Sequence, residues 1–232
     1  AVVISANSGT VTIDGFTFVG FDSRGISNGR ASSAGSTCRI LNNRVINASG
    51  ALLANGNTIQ VSSPNGLIKN NFCEGAILNN DTWGGSAIIL ASGVNNCIVE
   101  DTITQGSDYG IAVGGNLSLS PLTADGNIIR NNISRLNNYA AATTQYFTNN
   151  TLFQNNQFLS SGAGYTQLQD GRPYVKWNGF TKDTVGGFYG CGLVTNTIVE
   201  GNNFIDNTNN GENSPSNYVN WGAHVPAPAI PA

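Results

Sequence analysis

The apolar positions of this chain fall in short clusters that repeat around a central Asn or Asp. An apolar residue is followed three positions later by Asn or Asp, and two further on by Val, Ile or Phe. The spacing recurs at Ile40, Asn43, Val45; at Leu67, Asn70, Phe72; and at Ile98, Asp101, Ile103. It continues at Ile128, Asn131, Ile133; at Phe153, Asn156, Phe158; and at Val199, Asn202, Phe204, with a degenerate first copy at Ile13, Phe16, Phe18. Successive copies begin 27, 27, 31, 30, 25 and 46 residues apart. A repeat of this length marks a solenoid, in which each copy contributes one coil.

No copy is long enough to bury its own apolar face, so stability has to come from stacking one copy on the next. The apolar residues lie two or three apart beside β-branched and aromatic neighbours, which predicts strands rather than helices. The central Asn has a physical reason of its own. It tolerates the left-handed backbone of a tight bend, and its side chain can bond to nearby backbone. In a stack, the same side chain can reach the Asn one coil above and build a ladder. Further strands are predicted between copies at 57–61, 86–90 and 109–113. Each turn then carries at least three short strands, paired in parallel with the next coil at roughly 4.8 Å. From about Ile13 to Phe204 the chain resembles the right-handed parallel β-helix of the pectate-lyase-like superfamily, which includes many phage tailspikes. The expected fold is all-β, a right-handed parallel β-helix (β-solenoid) of about seven coils.

A length of 232 residues allows one or two domains, and the unbroken repeat argues for one. A hydrophobic content of 40% rules against a disordered chain. The net charge of −3 and the absence of a basic patch make nucleic acid an unexpected partner. No apolar run approaches the roughly 20 residues that a membrane span needs. The four cysteines, Cys38, Cys73, Cys97 and Cys191, show no CxxC spacing and, counted from the copy starts, fall in different registers. They read as free, mostly buried thiols rather than a disulfide framework or a metal site. The only histidine, His224, has no evident partner for a triad or a metal, and no metal or cofactor is expected.

The β-helix is expected over residues 1–206, with a long loop insertion at about 162–196 that accounts for the 46-residue step. Residues 207–232 form an Asn-rich and then Pro/Ala-rich tail, read as an extended linker or docking arm. Residues 23–37 read as a Gly/Ser-rich excursion, and 75–86 and 114–126 as polar loops. Val3 and Ile4 sit where the last strand of a preceding coil would fall, and the sequence has no initiator Met. The chain is therefore expected to begin partway round a coil, as a fragment or processed form, or with another chain covering the open end.

Tyr109 and Tyr139 each lie 11 residues after a copy start, so they are expected to stack in adjacent coils. Tyr165 lies 12 after Phe153, close to the same line, while Trp83 is in the loop below it and Trp177 in the long insertion. A line of rings suits stacking against successive sugars, or else fills a bend. Asp108 beside Tyr109, Asp81 in the loop below and Asp170 in the insertion are the candidate catalytic carboxylates. A glycoside hydrolase needs two carboxyls, one as acid and one as base or nucleophile, about 5 to 9 Å apart. Asp is also a common turn residue, which is the stronger reading at each position. Lys69, Glu100 and Arg130 occupy one position of three successive copies and predict a surface ion-pair ladder rather than a site.

The resemblance informs function mainly through what is missing. Neither the Asp-rich calcium site and Trp-Ile-Asp-His-type segment of pectate lyases nor the Gly-His-Gly signature of polygalacturonase-like enzymes is present. No catalytic residue transfers by motif, whereas tailspikes share no catalytic motif that could be absent. The resemblance implies a protein of the virion surface or extracellular space. It would be a homotrimer, or join other chains of a larger assembly, and recognise a bacterial surface polysaccharide, with cleavage left open. Two alternatives stand beside it: a secreted polysaccharide lyase or glycoside hydrolase, and a non-catalytic structural, capsid-decorating or adhesive β-helix protein.

Overall fold

The computed structural model describes residues 2–4, 9–21, 23–28, 37–47, 56–77, 85–91, 94–114, 124–138, 140–145, 148–161, 163–168, 194–195, 198–205 and 212–213. Every regular element among them is a strand, and neighbouring strands pair in parallel. Sheet A has eight strands: Val2–Ile4, Arg24–Asn28, Asn57–Val61, Ser86–Leu90, Tyr109–Gly114, Ala140–Gln145, Ala163–Leu168 and Glu212–Asn213. Sheet B has seven: Thr10–Asp14, Thr37–Leu41, Leu67–Lys69, Ile98–Glu100, Ile128–Arg130, Leu152–Gln154 and Ile198–Glu200. Sheet C also has seven: Thr17–Val19, Arg44–Ile46, Phe72–Glu74, Ile103–Gln105, Ile133–Arg135, Gln157–Leu159 and Asn203–Ile205. A small fourth sheet joins Ala124–Asp125, Thr148–Asn149 and Val194–Thr195.

The chain visits A, B and C in turn and then stacks on itself, which is a parallel β-solenoid, the fold class predicted from the repeat. Its most fully described part, residues 57–159, makes four turns, against the seven or so coils expected for the whole chain, and the sheets continue on both sides of it. The long insertion and the tail contribute to the stack as well. Ala163–Leu168 continues sheet A, and Glu212–Asn213 pairs with Thr166 and Gln167. The supposed excursion at 23–37 likewise contains a sheet A strand, Arg24–Asn28, paired with Asn57–Val61.

Alternation within three-residue strands decides what is buried. In sheet B the central residue faces inward, giving the row Ile40, Ile68, Val99, Ile129 and Phe153, all fully buried. Sheet C supplies Val45, Cys73, Thr104, Ser134 and Phe158, and sheet A supplies Ile26, Ile59, Ile88, Ile111 and Ala142. Each inward side chain rests on its equivalent one coil away, so the core is a set of stacked columns.

The pairing corrects the expected register by one residue in three copies. Ile40 pairs with Ile68, not Leu67, and the column continues through Val99, Ile129, Phe153 and Val199. Two adjacent polar positions follow it and divide the work that one Asn was expected to do. The first makes the bend: Asn42, Asn70, Asp101, Asn131 and Asn155 all have positive φ, from 53° to 56°. The second is the buried ladder of Asn43, Asn71, Thr102, Asn132, Asn156 and Asn202. Each ladder side chain accepts the backbone N–H of its equivalent one coil earlier, at 2.9 Å for Asn71, 3.2 Å for Thr102, 3.0 Å for Asn132 and Asn156, and 2.7 Å for Asn202. The Asn amides also donate to a carbonyl of the earlier coil, for example Asn132 to Val99 at 2.9 Å and Asn156 to Ile129 at 3.0 Å. A sharp bend leaves backbone groups that no sheet partner can reach, and the ladder satisfies them.

Candidate functional site

Asp108 closes the bend between sheets C and A. It follows the buried Ser107 and immediately precedes the strand Tyr109–Gly114. Its side chain is withdrawn from solvent at 3% exposure. One carboxylate oxygen, Oδ2, accepts the Gly85 backbone N–H at 2.8 Å, and Oδ1 accepts the Asn138 side-chain N–H at 2.9 Å. Its own N–H donates to the Ala76 carbonyl at 3.0 Å. Gly85 lies in the coil below and Asn138 in the coil above, so Asp108 acts as a clamp between three coils. Both oxygens are engaged in bracing the bend, one on backbone and one on a side chain, which is the turn chemistry the sequence favoured for Asp at a bend. Asp81 and Asp170 lie outside the described residues.

Of the predicted aromatic line, Tyr109 and Tyr165 do not share a row. Tyr109 pairs with Ala140 and not with Tyr139, and the backbone of Tyr165 pairs with Ala142, which pairs with Ile111. Tyr109 and Tyr165 therefore belong to different rows of sheet A. Tyr109 is buried at 2% exposure. Tyr139, Trp83 and Trp177 lie outside the described residues.

The charges on sheet B form the predicted ladder. Lys69 pairs with Glu100 and Glu100 with Arg130 in register. Lys69 Nζ is 2.8 Å from Glu100 Oε1, and Arg130 Nη2 is 2.7 Å from Glu100 Oε2. Asp101 joins at 3.2 Å from Lys69, a contact hidden from the sequence because Asp101 reads there as the bend residue. Hydrogen bonds from Lys69 and then Arg130 hold the Glu100 carboxyl below its ordinary value, and Glu100 and Asp101 hold the Lys69 ammonium above its own. A group held ionised in this way cannot supply the proton that a glycosidic oxygen needs.

Glu100→Gln should cost on the order of 1 kcal/mol near neutral pH, because the partners are well exposed. Since the folded-state value is depressed, this contribution is present above the unfolded carboxyl value of about 4.3 and is lost as pH falls through the folded value. Urea midpoints of the two proteins should differ at pH 7 and converge in acid. A constant gap across that range would rule out the ion pairs as its source.

Cys38, Cys73 and Cys97 are free and buried, as predicted, and Cys191 lies outside the described residues. Burial pushes their thiols up, to about 11 for Cys38 and about 12 for Cys73 and Cys97, which leaves them protonated and unreactive. The register shift revises one expectation. Cys38 and Cys97 occupy the same column two coils apart, with Gly66 between them, and a Cβ on Gly66 would sit 3.3 Å from both sulfurs.

The chain matches no family model, no curated protein and no solved structure. Sequence reasoning passed over Arg24, since its strand was read as part of an excursion. The distance from a copy start to the next sheet A strand changes from coil to coil, which hid this strand from counting.

Proposed function

We propose that this protein is a surface-displayed β-solenoid of the tailspike type, which recognises a bacterial polysaccharide and works as a homotrimer or within a larger assembly on a virion. The observation that carries the proposal is the stacking itself. Parallel coils present equivalent outward side chains at a spacing of roughly 4.8 Å, a regular surface suited to a polymer of repeating units. Recognition without hydrolysis fits the described carboxylates better than catalysis does. Asp108 is committed to Gly85 and Asn138, and Glu100 is committed to Lys69 and Arg130. A retaining or inverting glycosidase needs one carboxyl held protonated as the acid, and the ion pairs on Glu100 oppose that state. The assignment to virions draws on the resemblance of the repeat, and fold alone does not fix function.

The test combines mass determination in solution with incubation against a panel of acidic and neutral bacterial polysaccharides. A trimer that binds one of them and leaves its length unchanged is the expected result. A monomer that shortens a polysaccharide would overturn the proposal in favour of a secreted lyase or hydrolase. A protein that binds no member of the panel would favour a structural or decorating role.

A further inference from the structure

The outer face of sheet B carries a line of aliphatic side chains. Leu67, Ile98, Ile128, Leu152 and Ile198 open five successive strands of that sheet and pair in register. Their neighbours Ile68, Val99, Ile129 and Phe153 fill the core, so the line faces outward. Four of its members are half-buried and Ile198 is 37% exposed. At roughly 4.8 Å per coil it runs for about 19 Å along the solenoid axis. Apolar residues scattered singly over a surface are ordinary, but a contiguous line of them marks a surface that meets something.

The rest of the face indicates the partner. The second outward position of the same strands holds Lys69, Glu100, Arg130, Gln154 and Glu200. Glu100 joins Lys69 and Arg130, and Gln154 Nε2 donates to Glu200 Oε1 at 2.8 Å. The two cations and two anions of this row cancel, and each is held by a neighbour within the chain. Such a face has no surplus charge to draw a charged partner and none to repel an identical face. A second copy also matches the line in length and spacing at every level. Rotation about an axis parallel to the solenoid keeps equivalent residues at one height, so Ile98 meets Ile98 and Ile128 meets Ile128. Sheet C offers less. Its outward apolar row of Phe72, Ile103 and Ile133 spans three coils. It ends at Gln157 on one side and at Arg44 on the other, whose guanidinium lies 5.2 Å over the Phe72 ring.

We infer that the aliphatic line of sheet B is the seam along which copies of this chain associate, side by side and with their solenoid axes parallel. The inference rests on the assembly part of the proposed function and deepens it by naming the face that the copies bury.

Ile128→Asp and Ile133→Asp form a matched pair. Both residues are half-buried, face outward and stand two positions before an arginine, Arg130 or Arg135. In sedimentation equilibrium of the full chain, Ile128→Asp should weaken self-association by about thirtyfold or more, the effect of losing one well-packed anchor. Ile133→Asp should assemble as wild type, and both should keep the wild-type circular dichroism, since neither side chain reaches the core. A gain of signal covers the case in which Asp unfolds the chain. A short bismaleimide should link Ile128→Cys copies to one another and leave Ile133→Cys and wild type unlinked. If Ile128→Asp assembles as wild type, or if the two Cys variants link equally, the seam is overturned while the assembly stands. If the wild-type chain is a monomer at every concentration, seam and assembly fall together, and glycan recognition is decided by its own panel. If Ile128→Asp alone dissociates and no polysaccharide binds, the seam stands and the recognition proposal falls.

Discussion

Gly110→Ala is expected to prevent folding or to lower stability by about 4 kcal/mol, at the upper end of what overpacking causes. Gly110 belongs to a row of small residues in sheet A, with Gly25, Thr58, Ala87 and Ala141 at the equivalent position of neighbouring strands, all buried. Here sheet A turns towards the inner side of sheet C. A Cβ on Gly110 would overlap Ser134 Oγ and the Ala141 backbone oxygen, and would lie 2.9 Å from Thr104 Oγ1. None of these can step aside cheaply. Ser134 Oγ donates to the Ala141 carbonyl at 2.6 Å and accepts from Thr104 at 2.8 Å, so moving it orphans buried polar groups. The Ala141 backbone is held between neighbours that pair on either side, at Ala140 with Tyr109 and Ala142 with Ile111. Gly106→Ala is the control. Gly106 has φ +60° and a Cβ there would meet only Glu74 Cγ, at 3.9 Å, so the loss should stay near 1 kcal/mol of backbone strain. Urea midpoints of the two variants would decide. Equal losses would mean that crowding at Gly110 is relieved by movements this packing does not allow.

The sequence made the solenoid legible because stacking imposes one chemical pattern on every coil, and the pattern survives loops of any length. What it blurred was the register, for a reason visible in the residues. Leu67-Ile68, Ile98-Val99 and Ile128-Ile129 are apolar doublets, and Asn70-Asn71 and Asn131-Asn132 are polar doublets. One member of each pair faces inward or carries the ladder, while the other faces outward or makes the bend. Asn suits a left-handed bend and a buried ladder equally well, so spacing alone cannot tell the two apart. The Lys69, Glu100 and Arg130 alignment survived because all three copies carried the same offset, whereas Cys38 and Cys97 came from copies with different offsets and their shared column was lost. The candidate site was less legible still. The connection from sheet C to sheet A runs from Gly20 to Arg24 in one coil and from Asn47 to Asn57 in the next. Counting from a copy start therefore misplaces any residue beyond that connection. Tyr109 and Tyr165 were aligned by such counting and do not share a row.

The register itself can be tested by mutation, since the two residues of one Asn doublet should respond very differently. Asn132 is 1% exposed. Its Oδ1 accepts the Thr102 N–H at 3.0 Å, and its Nδ2 donates to the Val99 carbonyl at 2.9 Å and to Asn156 Oδ1 at 3.0 Å. Asn132→Ala would leave the Thr102 N–H and the Val99 carbonyl unsatisfied inside the stack and would open a small cavity. At about 1 to 3 kcal/mol for each orphaned group, the loss should reach about 4 kcal/mol. Asn131 is exposed with φ +56°, so Asn131→Ala should lose only about 1 kcal/mol and Asn131→Gly little or nothing. Asn132→Asp adds a pH signature. The new oxygen would face the Val99 carbonyl and Asn156 Oδ1, so the folded chain should favour the protonated carboxyl and raise its pKa. A raised acid stabilises the fold fully below the unfolded value of about 3.9 and loses that contribution as pH climbs towards the folded value. Asn132→Asp should therefore approach wild-type stability in mild acid and fall away towards neutral pH, read as urea midpoints across that range. If Asn131→Ala proved as damaging as Asn132→Ala, the ladder would run through the residues with positive φ and the register described here would be one residue out.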